Sequence, residues 1–207
     1  MCGLTHNFPA QPDYLILASM EFYDKIFDPN SELPVQWVQH DFEQCTFKNL
    51  NLSAVTFTKS SFINCRFENC DLTQAALPNT KLDDVTFVNC QLMHIDFGLC
   101  NPFGLRVDFY QCRLDYAVFL DKKLKKTQFI ECSVKEVHFL KCDLTNALFD
   151  SCDLELAKFA ENNLTGVDFS SSYNLTMDPD DNIIKKARFS RHNLPGLLTK
   201  YSIKIMD

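Results

Sequence analysis

The sequence predicts an all-β solenoid wound as a square coil, and three observations predict it. Every fifth residue from Phe42 to Phe97 is Phe or Leu, twelve in succession. The residue two places before each is mostly small or β-branched. The other three positions of each five are polar, as in Asp41, Glu43 and Gln44, then Thr46, Lys48 and Asn49. A helix repeats near 3.6 residues and a strand near 2, so a strict period of five fits neither. Two inward positions in five require the chain to turn sharply after each repeat. A right-angled coil does so, with one repeat per side, four sides per turn, and stacked coils pairing backbone to backbone at about 4.8 Å.

Residues 1–36 read as a cap with imperfect repeats. Pro9, Pro12, Pro29 and Pro34 break any long element, while Leu17, Phe22, Phe27 and Trp37 keep a phase that Glu32 interrupts. Terminal repeats of an array are usually atypical because they must cover the first hydrophobic layer. Residues 37–97 form the first regular run, with Phe42, Phe47, Phe57, Phe62, Phe67, Phe87 and Phe97 alternating with Leu at the centres. Residues 98–106 interrupt it. From Phe97 to Phe109 is twelve residues, two more than the period allows, and the break holds Gly98, Pro102 and Gly104 with Leu99, Phe103, Leu105 and Arg106.

The second run, 107–193, centres on Phe109, Phe119, Phe129, Phe139, Phe149, Phe159 and Phe169, with Leu114, Leu124, Val134, Leu144, Leu154 and Leu164 between them. Inside it, the polar stretch 170–182 reads as a loop thrown out from one coil before Phe189 restores the phase. The two runs make roughly six turns, a rod about 30 Å long at ladder spacing. In the tail, 194–207, Pro195 suits a helix first turn, with Leu197, Leu198 and Tyr201 on one face. Residues 202–206 then alternate like a strand.

Composition narrows the function. The chain has 207 residues, a net charge of −7, five glycines and nineteen phenylalanines. That balance argues against a general nucleic-acid binder, which needs a basic surface. The start of the chain lacks the pattern of a signal peptide, and the apolar run at 14–20 is too short to span a membrane, so a cytoplasmic setting with reduced thiols is expected. Eight of the ten cysteines (45, 65, 70, 90, 112, 132, 142 and 152) fall in the small inward position, where a free thiol packs as a small hydrophobe. No short-spaced cysteine pair suggests zinc, and the five histidines are scattered. His40 reads as a satisfied core or capping residue. No phosphate-binding glycine loop or nucleophile motif occurs. The expectation is a non-enzymatic chain with no cofactor, no metal and no catalytic residue. Lys122 occupies an inward slot, so either it snorkels out or the coil is distorted there.

The repeat resembles the pentapeptide-repeat family, whose pattern is Ala/Cys-Asp/Asn-Leu/Phe-x-x. Cys70-Asp71-Leu72-Thr73-Gln74, Cys142-Asp143-Leu144-Thr145-Asn146 and Cys152-Asp153-Leu154-Glu155-Leu156 match it directly. The resemblance covers at least residues 40–169 and implies a right-handed quadrilateral β-helix, here with a short C-terminal helix and strand. A narrower resemblance is to the topoisomerase-protecting members, the Qnr, MfpA and McbG-like group. It rests on the single interruption near 98–106, the Asp178-Pro179-x-x-Asn182 stretch, and the apolar tail. It implies an acidic, dimeric rod that looks like duplex DNA to gyrase or topoisomerase IV and protects that enzyme from inhibitors such as quinolones. The alternative is a repeat scaffold for an unrelated protein partner.

The outward charges fit either reading. Stepping by twenty residues, one side of the second run presents Asp108, Glu131, Asp150 and Asp168 with no Lys or Arg, and the next presents Asp115, Glu136, Asp153 and Glu155 against Arg113 and Lys135. The side with Leu124, Leu144 and Leu164 holds Lys123, Lys125 and Lys126 against Asp143, and in the first run one side carries Asp41, Glu43, Asp83 and Asp84 against Lys81. Focused acid of this kind steers a partner that has a DNA-binding groove. The phase break leaves open whether the acidic sides of the two runs align. Leu194, Leu197, Leu198, Tyr201, Ile203 and Ile205 are the candidate contact between two copies.

Overall fold

Each five-residue repeat forms one side of a square. A computed structural model describes residues 19–206, and Leu17 lies outside them. It is a right-handed β-solenoid of about eight turns. Strands, most of them two or three residues long, stack in parallel, twenty residues apart in the regular coils: Phe22 lies under Phe42, Phe42 under Phe62, and Phe109 under Phe129 under Phe149. We number the sides by their first-run centres: side 1 carries Phe42, side 2 Phe47, side 3 Leu52 and side 4 Phe57.

The corners explain why the two residues after each centre are polar. The second of them turns the chain in the left-handed region, with φ 55° at Gln44, 55° at Asn49 and 53° at Asn69. An L-residue there costs about 1–2 kcal/mol, least for Asn and Asp, and asparagine recurs at these corners. The turn is repaid by the ladder, because corner N–H groups donate to the coil above: Gln44 to the Ile63 carbonyl and Asn49 to that of Glu68, both at 2.9 Å.

The centres fill the axis with stacked rings. Side 2 carries an unbroken file from Phe27 to Phe189. Neighbouring rings lie 5.2 Å apart between Phe109 and Phe129 and 4.5 Å apart between Phe129 and Phe149, nearly parallel. The small inward residue does more than save space. Its side chain donates to the carbonyl of a centre in the coil below: Cys65 to Phe42 at 3.4 Å, Cys132 to Phe109 at 3.5 Å, Ser60 to Trp37 and Thr80 to Phe57 at 2.7 Å, and Asn162 to Phe139 at 2.9 Å. The slot therefore selects small donors as well as small hydrophobes. Burial pushes the Cys65 and Cys100 thiols up to about 12, which keeps them protonated. Cys112, Cys132 and Cys152 continue the Cys70–Cys90 file across the interruption, giving five thiols in one column.

Three sequence expectations need correction. The stretch 170–182 is not thrown out. It completes a coil in register, with Asp153 paired to Tyr173 and Phe169 to Phe189, and only Pro179–Asp181 turns as a 3-10 helix. Its polarity comes from serines and asparagines doing ladder work, such as Ser172 Oγ donating to the Phe149 carbonyl at 2.7 Å. The tail forms two 3-10 turns, Leu194–Leu197 and Thr199–Tyr201, and residues 203–206 make no strand, because no main-chain hydrogen bond ties them to another segment among the described residues. Leu105 and Arg106 are not loop residues but begin the strand Leu105–Tyr110.

The ends differ in construction. At the first coil, Glu32 is exposed and Trp37 stacks on Phe42 at 5.7 Å to close the layer. His40 is buried, its Nδ1 accepting from the Met20 amide, as expected of a satisfied core residue. At the far end, buried Asn193 donates to the carbonyls of Phe169 and Ser172. Gly196 lies against the Leu175 carbonyl, where any side chain would collide. Lys200 ties the turn down through Asp178 and Asp180. Among the described residues no helix is long and apolar enough to cross a membrane.

Candidate recognition notch at the interrupted coil

The extra residues of the interruption are absorbed unevenly. Strand Lys81–Val88 pairs with Leu105–Tyr110, Leu82 facing Leu105 and Asp83 facing Arg106 at a separation of 23, but Val85 faces Val107 at 22. Three residues are therefore inserted before Leu105, and one is missing after Arg106. The missing one is the corner residue. Asp84 turns the coil below at φ 60° and Lys126 the coil above at 62°, but none of residues 105–107, stacked between those corners, is in the left-handed region.

The consequence is a notch on side 1 of about 480 Å³, whose lining includes Asp84, Phe103, residues 104–108, Lys123, Lys125 and Lys126. On its floor the ladder is interrupted. No main-chain hydrogen bond joins residues 105–107 to residues 123–127. Residues 123–127 pair only upward, with Lys123 bridged to Asp143 and Leu124 N donating to the Asp143 carbonyl. The Gln128 amide, which by the pattern of other coils belongs to the Val107 carbonyl, is taken instead by the Asp108 carboxylate at 2.8 Å. Burial raises the Asp108 carboxyl above the usual range; the Gln128 amide opposes that, and the nearby Asp84 charge adds to it.

Lys122 resolves the puzzle of an inward lysine. It is buried and donates from Nζ to the Cys100 carbonyl at 2.9 Å, a group that the insertion has pulled off the ladder. The coil is distorted, and the ammonium fills the vacancy in its hydrogen bonding. On the rim, Phe103 is 96% exposed, while Leu105 is buried; Leu99, outside the lining, is 53% exposed. Arg106 is held by Asp83 at 2.6 Å, which pulls the Asp83 carboxyl below its ordinary range. Lys125 pairs with Asp143 at 3.1 Å. In the sequence the loop and the lysines stand as separate features. Stepping twenty residues from 102–106 to 122–126 brings them together.

Of the sequence-predicted acids, Asp83, Asp84 and Asp108 line the notch and the rest fall elsewhere. Those of the first run lie on side 1, and those of the second run on sides 2 and 3, so the acidic stretches do not align. Side 1 changes sign, from Asp83 and Asp84 below the notch to Lys123, Lys125 and Lys126 above it. Asp115 is buried rather than presented, because it accepts from Arg113 Nε at 2.6 Å, Ser133 Oγ at 2.5 Å and the Lys135 amide at 3.2 Å. Lys135 bridges Asp153 and Glu155 at 2.9 and 2.7 Å, and Arg188 neutralises Asp168 at 2.6 Å. Glu131 is exposed, whereas Glu136 and Asp150 are half-buried. In the tail, Leu197 packs into its own chain and Leu198 is half-buried, while Leu194, Tyr201, Ile203, Ile205 and Met206 are exposed.

The family description "Pentapeptide repeat region" matches residues 40–102 and 105–172 and breaks at the notch loop. The chain belongs to the pentapeptide-repeat family. No curated protein sequence matches it. Among solved structures it is similar to a trypsin-treated variant of QnrB1, a plasmid-mediated fluoroquinolone resistance protein, at 18% identity and TM-score 0.45, covering 91% of this chain and 98% of that one. It is also similar to HetL, a pentapeptide repeat protein involved in heterocyst differentiation regulation from the cyanobacterium Nostoc sp. strain PCC 7120, at 15% identity and TM-score 0.39, covering 81% and 84%. Rfr23 from Cyanothece 51142 follows at 12% identity and TM-score 0.28, covering 73% and 88%.

Proposed function

We propose that this pentapeptide-repeat chain is a non-catalytic protein-recognition rod. The observation that carries this reading is the notch, where a regular solenoid gives up a corner, a stretch of ladder and the burial of Phe103. Regular coils spend their inward polar groups on main-chain carbonyls, whereas the notch exposes groups that remain available. A homodimer through the exposed Leu194, Tyr201, Ile203 and Ile205 belongs to the same proposal, with Leu197 closing the rod within each copy.

A second reading makes the partner a type II topoisomerase, gyrase or topoisomerase IV, protected from quinolones by a DNA-like acidic surface. Exposed Glu131, with Asp108 and Asp150 on side 2, supports it. The misaligned acidic sides and the ion pairs at Asp153, Glu155 and Asp168 limit that surface to part of the second run. Titrating the purified protein into gyrase and topoisomerase IV supercoiling and decatenation assays, with and without a quinolone, separates the readings. A shift in inhibition that Glu131→Lys abolishes supports the topoisomerase partner. No effect at micromolar protein leaves the recognition rod with a different partner.

A further inference from the structure

We infer that the notch accepts an extended segment of a partner protein by strand addition, with a carboxylate of that segment set between Lys123 and Lys126. The inference rests on the protein-recognition reading and names the chemistry of the partner. Residues 105–107 pair below with Leu82, Asp83 and Val85 and have no main-chain partner above; residues 123–127 pair above and have none below. Two unpaired edges therefore face one gap. An unpaired edge is a template for another backbone, whose main-chain hydrogen bonds give affinity while alternate side chains give specificity.

Charge selects the occupant. Arg106 and Lys125 already hold Asp83 and Asp143, but Lys123 and Lys126 have no carboxylate partner among the described residues. On a chain of net charge −7, two free lysines on one lip ask for acid from outside. Asp84, exposed on the opposite lip, disfavours acid there and so orients the segment. Phe103 supplies an apolar wall for a neighbouring side chain.

The test is display of random peptides, roughly a dozen residues long, against the full chain, followed by fluorescence polarisation with the best synthetic peptide. The expected binders are acidic and β-prone. Lys123→Glu with Lys126→Glu should weaken them about tenfold or more, and N-methylation of the central peptide amides should abolish binding. Both lysines are exposed, so far-UV circular dichroism should be unchanged. Absence of enrichment, binders without acid, or binders indifferent to the lysine reversal and to N-methylation would overturn the inference. So would self-association, seen by light scattering, that the lysine reversal removes. If the reversed variant loses the peptide but keeps a full-length partner, the notch is a secondary contact and strand addition stands; if it keeps both, the inference falls and the recognition rod survives.

Discussion

Sides 1 and 2 of the interrupted coil are made by one stretch of chain and behave oppositely. On side 2 the file Phe87, Phe109, Phe129 passes through with rings 5.5 and 5.2 Å apart, and strand register resumes at Phe109. On side 1, a few residues earlier, the ladder is open and Leu105 is the inward residue. The difference teaches where a solenoid absorbs an insertion. Stacked aromatic rings fix the register of side 2, so the misfit collects where the centres are aliphatic.

The largest test removes a ring. Phe129→Ala should cost about 3–5 kcal/mol in chemical denaturation, and Leu105→Ala, beside an already open ladder, about 2. Equal costs would mean the two sides are equally packed. Next is Lys122→Met, which orphans the Cys100 carbonyl. A loss of about 1–3 kcal/mol is expected, with faster amide exchange confined to the insertion; unchanged exchange there would show that the ammonium does not hold the distortion. Cys132→Ser keeps the donor to Phe109 and should be nearly neutral, whereas Cys132→Val should cost about 1 kcal/mol more than Ser, judged by thermal melts.

The corners sharpen the comparison further. Leu156 turns an intact corner at φ 58° while 62% exposed, so Leu156→Asn should stabilise by about 0.5–1 kcal/mol. The cut corner at Arg106, without a left-handed residue, should show no such gain. The smallest effect concerns Asp108. Its folded carboxyl is raised, so the native state holds its proton longer than the unfolded state, and stability falls as pH rises from the ordinary carboxylate range through the folded value. Asp108→Asn keeps an acceptor for Gln128, and its advantage should appear above that window and vanish below it. An advantage that is flat with pH would assign the cost to shape rather than charge.

Most of the fold was legible because a period of five with a small companion residue fits one architecture. Phe42 to Phe97 specify the inside of the rod and leave the outside unstated. The site was less legible for a physical reason. A net phase shift of two residues does not reveal that it is three added and one removed, and the removed corner makes the notch. Asp115 misled because a side assignment by spacing cannot see that Arg113 and Ser133 bury it. The 170–182 stretch misled because polar residues in inward slots look like a loop until their donors are matched to carbonyls.

The buried Lys122 contact bears on how the chain finds its alignment. In a polymer whose Phe residues recur every twenty positions, a slip by one whole coil keeps ring over ring and costs little. Periodicity alone thus leaves several alignments close in energy. Only one of them brings an inward ammonium opposite the Cys100 carbonyl displaced by the insertion. The irregularity serves as a vernier mark for the winding, penalising every other alignment by leaving a charge buried and alone.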